Sequence, residues 1–307
     1  MKLEGRDLLS LKELDAEEIL TILDTADLFK KERRQGILHK PLQNKTLALI
    51  FEKPSTRTRV SFEVAMKELG GNTVVLHSSE MQLARGETIE DTARVLSRYV
   101  HAAMLRVIRH SDLVRFAEAA TIPVINGLSD LYHPCQILAD LQTIREAKRG
   151  LSGLKIAWVG DGNNNVANTY IVAAAKLNLN FNLACPREYQ PKEEVLQEAR
   201  NAKVYITEDP IEAVTDADVV ITDTFISMGK EDEREKRLSV FLPKYQVNKR
   251  LMEIAKRDAI FLHCLPAHRG EEVTDDVIDG KWSVVWEEAE NRLHTQKAIL
   301  YHLLLRS

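Results

Sequence analysis

Ser55-Thr56-Arg57-Thr58-Arg59 gathers hydroxyls and two guanidiniums in a very short length of chain. An apolar run, 46–51, precedes it and reads as a strand. Phe62, Ala65, Met66 and Leu69 follow at i, i+3, i+4 and i+7, which is the buried face of a helix. Gly70-Gly71 marks where that helix stops. Ser55 therefore falls near the N-cap, where the first backbone N–H groups lack intrahelical partners and the helix dipole is positive. Such a point suits a dianionic oxygen cluster, most simply a phosphate. The plainer alternative is that Ser55 and Thr56 only cap the helix and both arginines are solvated. Two cations in a first turn oppose the dipole unless something negative is bound, so the phosphate reading is preferred.

Other residues with chemical potential fall at comparable places. Met104-Leu105-Arg106 ends a strand with a guanidinium. His133-Pro134-Cys135-Gln136 opens a long helix, with Pro134 at N1, where its missing N–H costs nothing. His133 can donate to a carbonyl or phosphate oxygen there, or it can merely cap. The turn Gly160-Asp161-Gly162-Asn163-Asn164-Asn165-Val166 lacks the full dinucleotide-binding pattern. Its asparagines are either turn formers or amide partners for a zwitterionic ligand. Val219-Val220-Ile221-Thr222-Asp223 delivers an acid to a strand end, a candidate partner for an ammonium. Ser227-Met228-Gly229 follows, then a charged run over 230–237 that reads as a solvated helix face. Ile260-Phe261-Leu262-His263-Cys264-Leu265-Pro266 delivers a thiol. Adjacent strand residues point to opposite faces, so His263 is badly placed to activate Cys264, and a binding role for the thiol is the better reading. Arg292 lies in the first turns of the last helix.

The elements that must position these residues alternate. Asp15-Ala16-Glu17-Glu18 is a capping box opening a helix to about residue 35. Strands are expected near 46–51, 73–77, 102–107 and 122–126, and again near 154–159, 180–184, 203–206, 218–222 and 259–262. Helices are expected near 55–69, 87–99, 111–120, 134–149, 165–178, 191–200, 246–256 and 287–304. This pattern predicts an α/β fold of two domains, each a mainly parallel sheet with helices on both faces. The expected division is 1–150 and 151–287, with a final helix 288–307 packing back on the first domain. Ligands of open α/β sheets bind beyond the carboxyl ends of strands, so the chemistry is expected in the loops there, in a cleft between the domains.

A chain of 307 residues is long enough for two domains, and 44% hydrophobic with 29% charged residues is ordinary for a globular protein. The net charge of −4 gives no support to nucleic-acid binding. The polar start and the lack of any span-length apolar stretch predict a cytoplasmic protein without membrane association. Cys135, Cys185 and Cys264 form no CxxC pair, so neither a disulfide framework nor a metal site is expected.

Together the motifs resemble the aspartate/ornithine carbamoyltransferase superfamily, over essentially the whole chain and in the family's order. The resemblance is carried by Phe51-Glu52-Lys53-Pro54 running into Ser55–Arg59, by His133-Pro134-x-Gln136, by Asp223 with Ser227-Met228-Gly229, and by His263-Cys264-Leu265-Pro266. The first two are similar to the shared carbamoyl phosphate site, and the last two to ornithine-using members. The resemblance implies that Ser55, Thr56, Arg57 and Thr58 hold the phosphate. It implies that Arg106, His133, Pro134 and Gln136 hold the phosphate and carbonyl oxygens, and that Cys264, Leu265 and Arg292 contact the carbamoyl group and the incoming amine. Arg106, His133, Asp223 and Cys264 would carry the catalytic roles. Gln82 would reach into a neighbouring subunit's site. Asp223, Ser227, Met228 and one of Asn164 and Asn165 would bind ornithine. Phe225 stands where relatives often carry Trp, with little effect expected. The family implies a homotrimer that can assemble further, no cofactor, and transfer of a carbamoyl group from carbamoyl phosphate to the δ-amine of ornithine. It also implies domain closure and movement of the Ser-Met-Gly loop on ornithine binding. The rivals are transfer to another amine such as putrescine, and a non-catalytic phosphometabolite-binding protein.

Overall fold

The computed structural model describes residues 3–305 except Asn201 and Met228. The described residues form two compact units. Unit 1 takes those of 1–142 and 290–307, and unit 2 takes 143–289. Arg306 and Ser307, inside the expected final helix, lie outside the described residues.

Unit 1 opens with α1 (Ala16–Arg34), whose capping box is complete: Glu18 N–H donates to the Asp15 side chain and Asp15 N–H to that of Glu18. Then come β1 (Thr46–Phe51), α2 (Thr56–Glu68), β2 (Asn72–His77), α3 (Ile89–Leu96), β3 (Ala102–Arg106), α4 (His110–Ala119), β4 (Val124–Leu128) and α5 (Pro134–Lys148). The sheet order is β2-β1-β3-β4, every pair parallel. β1 is buried along nearly its whole length, which marks a strand covered on both faces. The expected face of α2 is in the core: Phe62, Ala65, Met66 and Leu69 are all buried. Gly70, at φ +87°, ends α2 in a Schellman motif. Gly71 N–H donates to Met66 O at 2.8 Å and Gly70 N–H to Lys67 O at 3.1 Å.

Unit 2 contains β5 (Lys155–Val159), α6 (Asn165–Leu177), β6 (Asn180–Ala184), α7 (Glu193–Glu198), β7 (Lys203–Thr207), α8 (Pro210–Val214), β8 (Val219–Thr222), α9 (Arg234–Phe241), α10 (Lys249–Met252), β9 (Ile260–His263) and α11 (Asp275–Ile278). The last helix, α12 (Val285–Leu304), begins in unit 2 and continues into unit 1. Sheet order is β7-β6-β5-β8-β9, again all parallel. The α/β class with two parallel sheets flanked by helices is therefore as the alternation predicts.

Three local expectations change. The helix expected over 246–256 is a single turn, α10, and beyond it Lys256 N–H donates to Ala217 O at 3.1 Å, outside any helical pattern. The short helices α8, started by Asp209 and Pro210, and α11 were not expected. The charged run is a 3-10 turn followed by α9, and it does not lie wholly in solvent, since Arg237 is buried.

Candidate active site

Both sheets reverse their direction of growth once. In unit 1 the chain steps from β1 to β2 on one side and then to β3 on the other; in unit 2 the same occurs between β5 and β8. A parallel sheet opens a crevice beyond the strand ends at such a point. The candidate residues collect at these two places.

In unit 1, β1 runs into α2 through Ser55, the observed N-cap, whose Oγ accepts from Thr58 N–H at 3.3 Å. Thr58 is buried, and its Oγ1 accepts from Arg106 Nη1 at 3.4 Å and Arg292 Nη2 at 3.2 Å. Arg106 is the last residue of β3, and Arg292 comes from α12. Arg292 also donates through Nη1 to Gln136 Oε1 at 2.7 Å, and Gln136 Nε2 donates to buried Asp140 at 2.8 Å. His133 precedes α5, and its carbonyl accepts Gln136 N–H at 3.1 Å, with Pro134 as the first helical residue. Burial holds the His133 imidazole well below its ordinary pKa, and the guanidiniums of Arg292, Arg106 and Arg57 push the same way. His133 is thus a neutral ring in a cationic corner, able to donate or accept without adding charge. Fixed donors and positive charge of this kind suit phosphate and developing oxyanions.

Two parts of the pentapeptide differ from expectation. Arg59 is exposed and pairs with Glu63 at 3.1 Å, one helical turn on, so only Arg57 of the two faces the cluster. Two residues along a helix point to nearly opposite sides, and this separates them. Thr56 is exposed as well. Gln82 sits on an exposed 3-10 turn, Gln82–Arg85, and its side chain makes no hydrogen bond among the described residues of the protomer.

In unit 2, the β5–α6 turn is a close fit. A Cβ on Gly162 would meet Cys185 Sγ at 2.8 Å and Tyr189 O at 2.8 Å. Asp161 Oδ1 accepts Asn163 N–H at 2.9 Å, and its carbonyl accepts the Trp158 indole at 3.1 Å. Asn164 caps α6, accepting Val166 N–H at 2.6 Å, while its Nδ2 donates to Asp223 Oδ2 at 2.8 Å. Asn165 is the first helical residue and half-buried. Asp223, buried at the end of β8, also accepts Thr224 N–H at 2.8 Å and Cys264 Sγ at 3.2 Å on Oδ1. Cys264 follows β9, and His263 turns away: its Nε2 lies 3.1 Å from Glu272 and its Nδ1 accepts Leu265 N–H at 2.9 Å. Both ring nitrogens are engaged, so His263 does not serve the thiol, as the alternation of strand side chains predicts. Leu265 holds φ +55°, a costly conformation for a non-glycine residue, of the kind that concentrates at functional sites. Ser227 Oγ is buried and has no hydrogen-bond partner among the described residues. Met228 lies outside the described residues.

Sequence reasoning missed Asp161, Arg237, Glu272 and Glu288. Arg237 Nη1 donates to Asp161 Oδ2 at 2.7 Å and to Phe225 O at 3.0 Å. Glu288 accepts His263 N–H at 2.9 Å. The one available signal was Glu233 and Arg237 at i, i+4 within the charged run.

Comparison with known proteins adds an independent line. A family model, "Aspartate/ornithine carbamoyltransferase, carbamoyl-P binding domain", matches residues 6–146, and its companion, "Asp/Orn binding domain", matches 152–303. A Pyrococcus furiosus protein named "Ornithine carbamoyltransferase, anabolic" is 56% identical over 306 residues, covering 98% of this chain and 96% of the relative. An ornithine carbamoyltransferase of Archaeoglobus fulgidus is 53% identical over 301 residues, 97% of each chain. Among solved structures, ornithine carbamoyltransferase from Pyrococcus furiosus superposes with a TM-score of 0.94 at 55% identity, over 99% of this chain and 98% of that one. The Thermus thermophilus enzyme gives 0.88 at 41%, over 97% and 98%. Matched along both units and at more than half identity to relatives of its own length, the chain belongs to the aspartate/ornithine carbamoyltransferase family.

Proposed function

We propose that the chain is an ornithine carbamoyltransferase, transferring the carbamoyl group of carbamoyl phosphate to the δ-amine of L-ornithine to give L-citrulline and phosphate, in arginine metabolism. The observation that carries this is the presence, in one chain, of two chemically opposite half-sites, one in each unit. Unit 1 offers guanidiniums around neutral His133, while unit 2 offers buried Asp223 held by Asn164 and Cys264. A protein that only bound a phosphorylated metabolite would have no use for the second.

In this reading Ser55, Thr56, Arg57 and Thr58 hold the phosphate, and Arg106, His133, Pro134, Gln136 and Arg292 surround the carbamoyl end. Asp223 takes the α-ammonium of ornithine, assisted by Asn164 or Asn165 and by Ser227 and Met228. Cys264 and Leu265 line the path of the amine. The neutral δ-amine attacks the carbonyl carbon. The carbonyl π pair moves to oxygen, where Arg106 and His133 stabilise the oxyanion. Its return breaks the C–O bond to phosphate. The amine proton passes to a departing phosphate oxygen, so no protein base is needed. Positioning and electrostatics supply the acceleration. The family also supports a homotrimer, able to assemble further, in which Gln82 serves a neighbour's site; its exposure in the protomer agrees with that role. No helix among the described residues is long and apolar enough to cross a membrane, and a cytoplasmic setting is the reading adopted.

A colorimetric citrulline assay with ornithine, putrescine and aspartate offered separately tests the assignment. Ornithine should be preferred by a wide margin. Faster turnover of putrescine, or of aspartate with carbamoylaspartate as product, would replace it.

A further inference from the structure

We propose that Lys30 and Lys297, two buried lysines outside the phosphate cluster, are positioning residues that set the register of α12 within unit 1 and so aim Arg292 at Thr58 and Gln136. It rests on the reading of unit 1 as the carbamoyl phosphate half-site.

Both lysines are 4% exposed. Burying an ammonium is costly, and a buried ion pair is often no better for stability than a well-packed apolar pair. Adhesion does not call for them either. Ala298, Ile299, Leu300, Leu303 and Leu304 already give α12 a buried apolar face. Apolar burial is non-directional, so by itself it leaves a helix able to slide by a residue. A polar pair has a defined geometry, and fixing register is the best-attested use of buried ones.

The pairs join three helices of unit 1. Lys30 of α1 donates to Asn291 Oδ1 at 2.7 Å, and Asn291 is fully buried and adjacent to Arg292 in α12. Lys297 donates to Oε2 of Glu68, the last residue of α2, at 2.8 Å, while Arg33 of α1 donates to Glu68 Oε1 at 2.8 Å. The Lys297 ammonium also lies over the Phe29 ring of α1, 5.0 Å from its centre. Thus α12 meets α2 near both ends, through Lys297 at Glu68 and through Arg292 at Thr58. The tolerance is small. A slip of one residue moves a helix about 1.5 Å along its axis. Arg292 reaches Gln136 at 2.7 Å and Thr58 at 3.2 Å, so such a slip carries the longer contact past hydrogen-bonding distance.

Steady-state kinetics on Lys297→Met should show the carbamoyl phosphate KM raised five-fold or more, with the ornithine KM within two-fold of the parent. Lys30→Met should follow the same pattern. Arg292→Gln supplies the readout that a merely structural role would not move. Because the lysines act through Arg292, adding Lys297→Met to that variant should change its carbamoyl phosphate KM less than two-fold. Glu68→Gln carries the same comparison, at several-fold, if the methionine variants do not fold. An unchanged carbamoyl phosphate KM in the folded variants, an equal rise in both KM values, or the full five-fold loss again in the Arg292→Gln background overturns the proposal. A parent enzyme that makes no citrulline from ornithine would instead sink the functional assignment, a separate result.

Discussion

The two candidate half-sites use one backbone device for opposite ends. Each lies beyond the strand ends of a parallel sheet, where growth of the sheet changes side and a helix begins. In unit 1 the helix start is reinforced: Ser55 caps it, and Arg57, Arg106 and Arg292 add positive charge around His133. In unit 2 the helix start is spent locally, because Asn164 Oδ1 caps α6 while its amide turns to buried Asp223. The difference teaches that topology chooses the place and side chains choose the sign. An anion site needs charge added to the helix end; an ammonium site needs that end masked and a carboxylate brought in.

Substitutions in the two regions should separate cleanly. The largest effect is expected for Arg57→Lys, which keeps the charge but loses the planar fork. Turnover should fall about 10²–10³-fold, the usual loss for one transition-state donor. Carbamoyl phosphate binding should weaken while the ornithine KM stays near the parent value; unchanged kinetics would remove Arg57 from the cluster. Asp223→Asn should act on the other half. Losing the charge-assisted contact costs about 2 kcal/mol, roughly 30-fold in ornithine affinity. Calorimetric titration of carbamoyl phosphate should show no comparable change, and the reverse preference would mean the half-sites are assigned backwards. Cys264→Ser is milder. A hydroxyl replaces the thiol beside Asp223, so the ornithine KM should rise only a few-fold and turnover should persist. Mass spectrometry that traps a carbamoylated Cys264 on the productive path would make it a nucleophile instead.

The smallest expected effect is on stability against pH, where the units oppose each other. In unit 1 burial lowers His133, and burial lowers His294 to about 4, with Lys30 and Lys297 adding to it and Glu290 opposing. Below pH 6.5 the unfolded chain therefore takes up protons that the folded unit refuses. Stability is lost as pH falls from about 6.5 toward about 4. In unit 2 burial raises the Asp161 carboxyl against the pull of Arg237, so its contribution is present in acid and is lost as pH rises past the ordinary carboxylate range of about 4. Hydrogen exchange at pH 7 and pH 5, resolved by segment, should show acid loosening α12 near His294 before the β5–α6 turn. Equal responses would break the contrast, and His294→Gln should flatten the acid side.

What was legible in the sequence was what leaves a periodic or local mark. The face of α2 shows in the spacing of Phe62, Ala65, Met66 and Leu69, and the capping box shows in Asp15 and Glu18. The separation of His263 from Cys264 follows from strand alternation alone. What stayed hidden depends on contacts between distant segments. Arg59 resembles Arg57 by type, and only its pairing with Glu63 tells them apart. Arg237 resembles its charged neighbours until Asp161, 76 residues away, draws it inward. α10 is a single turn, and the bond from Lys256 beyond it to Ala217 is one that no local propensity announces.

Unit 1 is discontinuous, and that sets an order on its synthesis. Unit 2 is one unbroken stretch, 143–289, whereas unit 1 needs 290–307 added to 1–142. Domains generally fold as units while the chain emerges from the ribosome. The segment translated first is thus completed last: the β2-β1-β3-β4 sheet can gather early, yet it waits through all of unit 2 for Arg292 to reach Thr58 and Gln136. A nascent chain arrested before residue 290 carries all of unit 2 but a unit 1 whose cationic cluster still lacks the Arg292 guanidinium. Completion of that cluster thereby becomes a late event in the life of each polypeptide.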